Sequence, residues 1–81
     1  MDRETILIID DNKEIVAALS DVLASRDYHT IHAYNGRDGL RMALQDRPDL
    51  ILLDWNLPQL SGYQVLQALR KRGNRAPVVL M

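Results

Sequence analysis

The residues best placed to do chemistry are acids standing at the ends of apolar runs. Asp10-Asp11-Asn12 closes the run Thr5-Ile6-Leu7-Ile8-Ile9, and Asp54 closes Leu50-Ile51-Leu52-Leu53. If the two runs lie side by side, three carboxylates meet, and such a cluster is tolerable only when protons or a cation offset its repulsion. An oxygen-only donor set with room for water suits Mg²⁺, which prefers octahedral geometry and commonly shares its remaining positions with phosphate. A carboxylate held beside such an ion can attack an electrophilic phosphorus, so the chemistry on offer is phosphoryl transfer. His29 and His32 are the other metal-ligating candidates, but three positions apart on an expected strand they face opposite ways and are read as surface or edge residues.

Bringing those acids together requires a particular set of elements. Thr5–Ile9 is continuously apolar and β-branched, as a strand buried on both faces would be. Ile15, Val16, Leu19, Val22 and Leu23 then recur at helical spacing, with Asp11 or Asn12 available as cap and Glu14 in the favourable first turn, and Ser25-Arg26-Asp27 ends the helix. Ile15 is assigned to the core with its stripe, the alternative being a side chain that protrudes toward a partner. His29–Ala33 alternates polar with apolar, the pattern of an edge strand. Asn35-Gly36 opens a second helix carrying Leu40, Ala43 and Leu44, and Pro48 stops it.

Leu50–Leu53 repeats the signature of the first strand. Ser61-Gly62 leads into a third helix with Val65, Leu66 and Leu69, closed by Gly73. The charges at its end, Arg70, Lys71, Arg72 and Arg75, are read as solvated groups that complement the helix dipole. Val78–Met81 is a fourth strand. Strand alternating with helix argues for a parallel sheet with helices on both faces. Ligands of such sheets bind beyond the carboxyl ends of the strands, where the strand order reverses. That rule selects Asp10, Asp11 and Asp54.

Composition removes several function classes. A length of 81 residues with 47% hydrophobic and 26% charged side chains describes one small globular domain, not a disordered or fibrous chain. With no cysteine, a disulfide scaffold, a zinc knuckle, an iron–sulfur site and a thiol nucleophile are all excluded. Ten basic against eleven acidic residues leave a net charge of −1, so no global field recruits nucleic acid or an anionic membrane. The apolar runs are far short of a bilayer span and Met1-Asp2-Arg3-Glu4 does not read as a signal peptide, so a cytoplasmic location is expected.

Ile8-Ile9-Asp10-Asp11-Asn12, Leu52-Leu53-Asp54-Trp55-Asn56-Leu57-Pro58 and the following Gly62 together resemble a response-regulator receiver domain of two-component signalling, from Ile6 to Met81. The resemblance implies a flavodoxin-like, doubly wound parallel α/β sheet of order 2-1-3-4, here an incomplete (βα)3β. It implies that Asp54 is a phosphoacceptor supplied by a phosphohistidine on a histidine kinase or histidine phosphotransfer protein. It makes Asp11 a direct Mg²⁺ ligand and Asp10 a ligand through water, with Asp54 and the backbone carbonyl of Asn56 completing the set. Pro58 and Gly62 shape the loop after the acceptor, Pro by fixing φ and Gly by permitting conformations closed to other residues. Trp55 is either a cover for the end of the sheet or, by the resemblance, a neighbour of the metal site and a fluorescent reporter. Such a module is a phosphoprotein that at most catalyses its own phosphorylation and dephosphorylation, not an enzyme.

The family continues past its fourth strand with a Ser or Thr that bonds the phosphoryl group, a helix, a fifth strand ending in Lys and a fifth helix. Residues 1–81 are therefore expected to be a partial receiver domain lacking about a third of its length. A phosphoryl group on Asp54 would then forgo a hydroxyl and a cationic partner, each worth roughly 1.5–3 kcal/mol, impairing phosphorylation and output. The edge Val78–Met81 is expected to promote self-association by strand pairing or domain swapping. Two alternatives stand beside this reading. One is an interaction module without phosphotransfer. The other is a haloacid-dehalogenase-type phosphatase, whose acids follow one strand as Asp-x-Asp rather than as the Asp10-Asp11 found here.

Overall fold

A computed structural model describes residues 3–81, so Met1 and Asp2 of the segment weighed above as a signal peptide lie outside the described residues. The elements run β1 (Thr5–Ile9), α1 (Lys13–Ser25), β2 (His29–Ala33), α2 (Gly36–Asp46), β3 (Leu50–Leu53), α3 (Gly62–Lys71) and β4 (Val78–Leu80). All pairings are parallel and the sheet order is β2-β1-β3-β4, the order expected from the resemblance. The chain leaves β1 toward β2 on one side and later crosses to β3 on the other. The strand order therefore reverses between β1 and β3.

Both faces of β1 are covered, which is why its sequence is apolar without alternation, while β3 is buried on one face and half-buried on the other. Leu7 and Ile9 of β1 join Ala43, Ile51, Leu53, Leu57, Val65 and Leu69 in a buried cluster on the side of α2 and α3. Ile6 and Ile8 face the other way and pack with Val16 of α1, with Leu50 and Leu52 only partly covered there. Among the described residues, α1 is the single helix on that side. Its apolar stripe is wider than its contact: Ile15 is 44% exposed and Val22 56% exposed. The assignment of Ile15 to the core is thus corrected. One residue turns a helix by about 100°, so Ile15 is carried off the contact line that Val16 occupies, and no neighbouring element covers it.

Helix boundaries follow from local chemistry. Asn12, not Asp11, caps α1, its side-chain oxygen accepting the N–H groups of Glu14 at 3.0 Å and Ile15 at 3.2 Å. This leaves the Asp11 carboxylate uncommitted to the cap. Asn35 caps α2 by accepting the Asp38 N–H at 2.8 Å. That helix ends as Arg47 turns left-handed with φ 47°, consistent with the exclusion of α geometry immediately before Pro48. Ser61 and Gln64 cap α3 reciprocally. β2 is an edge strand, as its alternation implied, and His29 and His32 on it are exposed. β4 stops at Leu80, one residue short of the expected Met81. Met81 nevertheless donates its N–H to the Leu53 carbonyl at 2.9 Å and accepts that of Trp55 at 3.3 Å.

Candidate functional site

The site begins with strand register. Ile9 and Leu53 are partners in the β1–β3 ladder, so Asp10 and Asp54 leave neighbouring strands at the same level. Their backbones are still tied to the sheet: the Asp10 N–H donates to the Ala33 carbonyl at 3.1 Å, and the Asp54 N–H to the Ile9 carbonyl at 2.8 Å. Asp10, Asp11 and Asp54 each present a carboxylate oxygen, and these lie within 4.8 Å of one another. Asp10 is buried, Asp54 half-buried and Asp11 exposed. Neither His29 nor His32 belongs to the cluster.

Short turns aim these carboxylates. Asp10 Oδ1 accepts the Asn12 N–H at 2.9 Å, and Asp54 Oδ1 accepts the Asn56 N–H at 3.1 Å. Each bond spans two residues and turns the chain away from the sheet while orienting the acid. Asn56 is held at the rim by that bond. The electrostatics follow from the packing. Burial raises the pKa of Asp10 above 3.8, the Asn12 N–H pulls it back, and the charges of Asp54 and Asp11 push it further up. Without a cation, a proton therefore settles on this group more readily than on an ordinary aspartate. The donor set is all oxygen, anchored at Asp10 and open to water at Asp11, and it fits a hard divalent ion that keeps part of its hydration shell.

The loop after Asp54 departs from expectation at one residue. Gly62 was expected to adopt a backbone closed to other residues, yet among the described glycines only Gly73 has positive φ. What Gly62 supplies is space: a Cβ there would collide with the carbonyl oxygen of Asp54 and lie 2.9 Å from the Trp55 Cα. The left-handed residue in this loop is Gln59, with φ 66°, and the Leu60 N–H reaches back over it to the Pro58 carbonyl at 2.7 Å. Pro58 thus opens a three-residue γ-turn. Buried Leu57 fastens the loop to the core. Nothing in the letter Gln signals this conformation.

Trp55 is 48% exposed and stands against Tyr63, with ring centroids 5.7 Å apart. Half of the indole faces solvent, so it covers the end of the sheet incompletely. Sequence reasoning missed Tyr63, although its position one residue after Gly62 places it at the start of α3. It also missed the pairing of Lys13 with Tyr34, where the ammonium lies 5.2 Å from the ring centroid.

Comparison with known proteins places this geometry in a family. The profile of the response regulator receiver domain matches residues 6–81. The transcriptional regulatory protein PrrA of Mycobacterium tuberculosis is 37% identical over 76 residues, covering 94% of this chain and 33% of that protein. Sporulation initiation phosphotransferase F of Bacillus subtilis is 35% identical over 81 residues, covering 100% of this chain and 65% of that protein. Among solved structures, the receiver domain of the Francisella response regulator 1452 superposes with a TM-score of 0.92 at 28% identity, over 96% of this chain and 64% of that one. The chain belongs to the response regulator receiver domain family, the signalling modules of two-component systems. It spans about a third of the length of regulators such as PrrA. Neither the phosphatase alternative nor the pure interaction module is favoured by these matches. No described helix is long and apolar enough to cross a membrane.

Proposed function

We propose that this chain is the phosphoacceptor part of a two-component phosphorelay, with Asp54 as the nucleophile. The observation that carries the reading is the meeting of the Asp10, Asp11 and Asp54 carboxylate oxygens within 4.8 Å at the switch point of the sheet. Asp11 would hold Mg²⁺ directly and Asp10 through water, with Asp54 and the Asn56 carbonyl as the protein's other ligands. Bound Mg²⁺ supplies charge neutralisation for the phosphoryl oxygens and for the acids that surround them.

The chain's own residues then do the following. An Asp54 carboxylate oxygen forms a bond to phosphorus as the phosphorus–nitrogen bond of a donor phosphohistidine breaks, and the imidazole keeps the departing electron pair. The Asn56 N–H fixes the Asp54 carboxylate, and Asp10 holds the Asn12 turn that presents Asp11. Pro58 and Gly62 keep the loop and the first turn of α3 close behind Asp54. Trp55 reports on the site.

A histidine kinase or histidine phosphotransfer protein is the donor in this reading, and the likeness to a sporulation phosphotransferase supports it. The role is that of a phosphoprotein in the cytoplasm rather than an enzyme. Residues 1–81 are read as the part of a receiver domain up to its fourth strand, in keeping with coverage of 64% of a solved receiver chain. The hydroxyl and lysine partners that the family resemblance adds for the phosphoryl group belong to segments that follow the fourth strand in the family. The exposed edge of β4 supports self-association.

The test is incubation with a small acyl phosphate and Mg²⁺ followed by intact-mass and peptide mass spectrometry. One labile phosphoryl group mapped to Asp54, and none on Asp54→Asn, is expected. A phosphoryl group mapped to any other residue overturns the assignment.

A further inference from the structure

We propose that the cleft between the carboxyl ends of α2 and α3 binds a compact polyanion of the di- or triphosphate class. It lies at the opposite end of the strands from the acid cluster, beside the residues that lead into β3 and β4. Its volume is about 470 Å³, and Arg47, Arg72 and Arg75 line it together with Leu44, Pro48 and Ala76.

The wall of the cleft is held in place without help from these arginines. The Asn74 amide donates to the Ala43 carbonyl at 3.5 Å, its side-chain oxygen accepts the Ala76 N–H at 3.0 Å, and its carbonyl accepts from the Arg70 guanidinium at 3.0 Å. The Arg70 side chain therefore has a structural task, while among the described residues the side chains of Arg47, Arg72 and Arg75 make no hydrogen bond. Among the described residues, ion pairs join Arg3 to Asp27 and Arg41 to Asp38, and none involves the cleft arginines. Asp49 accepts the Thr5 N–H through Oδ2 at 2.7 Å, and Asp46 is exposed at the end of α2; among the described residues neither acid forms an ion pair with the cleft arginines.

Complementing helix dipoles does not account for so much charge. Each helix carboxyl end carries about half a negative unit, so two ends together ask for about one cation. Three guanidiniums exceed that. Their planar forks match phosphate oxygens in pairs, and several such forks lining one cleft favour a ligand with several negative charges. No strand residue lines the cleft, so an acidic peptide would find no main-chain ladder to extend there.

The experiment is titration of the isotopically labelled protein with inorganic pyrophosphate in metal-free buffer, read by backbone amide shifts. Saturable shifts at Arg47 and from Arg72 to Ala76 are expected, with affinity reduced at least about tenfold in Arg72→Gln/Arg75→Gln. The control Arg26→Gln/Arg37→Gln, which removes two exposed arginines elsewhere, is expected to bind like wild type. If the first double variant loses its dispersed spectrum, Arg47→Gln takes its place. Shifts scattered over unrelated basic residues, equal weakening in the control, or tighter binding of hexaglutamate than of pyrophosphate overturns the proposal.

Discussion

Gly62 sits so close to the carbonyl oxygen of Asp54 that a Cβ built on it would collide with that oxygen. Gly62 also donates its N–H to the Trp55 carbonyl at 3.1 Å. The first turn of α3 is therefore fitted against the backbone that presents the candidate acceptor.

Gly62→Ala tests this fit. Alanine is the better helix former by about 1 kcal/mol, yet both obstacles are backbone atoms that cannot rotate away. The overpacking is expected to win, lowering stability by about 1–3 kcal/mol and reducing the urea midpoint. A variant as stable as wild type would show that α3 does not start against Asp54.

The acid cluster predicts a pH dependence with an unusual sign. Asp10 is raised above 3.8 by burial and then by its acidic neighbours, so between its ordinary and its raised value the folded protein holds more protons than the unfolded. Stability contributed here is present below the ordinary value and is lost as pH rises through the raised one. Asp10→Asn, which keeps an oxygen for the Asn12 N–H, should stabilise the metal-free protein at neutral pH. The gain should fade in acid below about pH 4. Asp38 runs the other way, lowered by its bonds to Asn35 and Arg41, and its contribution is lost as pH falls. The difference between variant and wild type, measured by urea denaturation with a chelator present, isolates Asp10. Destabilisation by Asp10→Asn at neutral pH would contradict the electrostatics.

Much of this arrangement is readable from residues whose neighbours along the chain determine their fate. The runs ending at Ile9 and Leu53 identify the two central strands, and the acids that follow them identify the rim. Ile15 misleads because its burial depends on what lies beside α1, which helical spacing does not encode. Gly62 is marked as special by its letter, but only the approach of Asp54 shows that space is the reason. Gln59 carries no signal, since its left-handed backbone is imposed by the loop between Pro58 and Leu60. The arginines of the cleft come from two separate segments, the end of α2 and the α3–β4 connection, and only the packing of α2 against α3 gathers them.

The edge of the sheet predicts association. Val79 and Leu80 on the outer strand β4 are 49% and 42% exposed, with Met81 beside them 44% exposed. Concentration-dependent self-association by light scattering is expected, and Val79→Lys should weaken it about tenfold or more by placing a charge on the edge. Val79→Lys that associates as strongly as wild type would remove β4 from the interface.

The most direct test of the site is a Mg²⁺ titration followed by Trp55 fluorescence and repeated on Asp11→Asn and Asp54→Asn. Wild type should show a saturable change, with stability rising by about 2.7 kcal/mol when Mg²⁺ reaches a hundredfold excess over its dissociation constant. Both variants should need about tenfold more Mg²⁺, or more, for the same response. Curves that superpose for all three proteins would mean that these carboxylates do not hold the ion together.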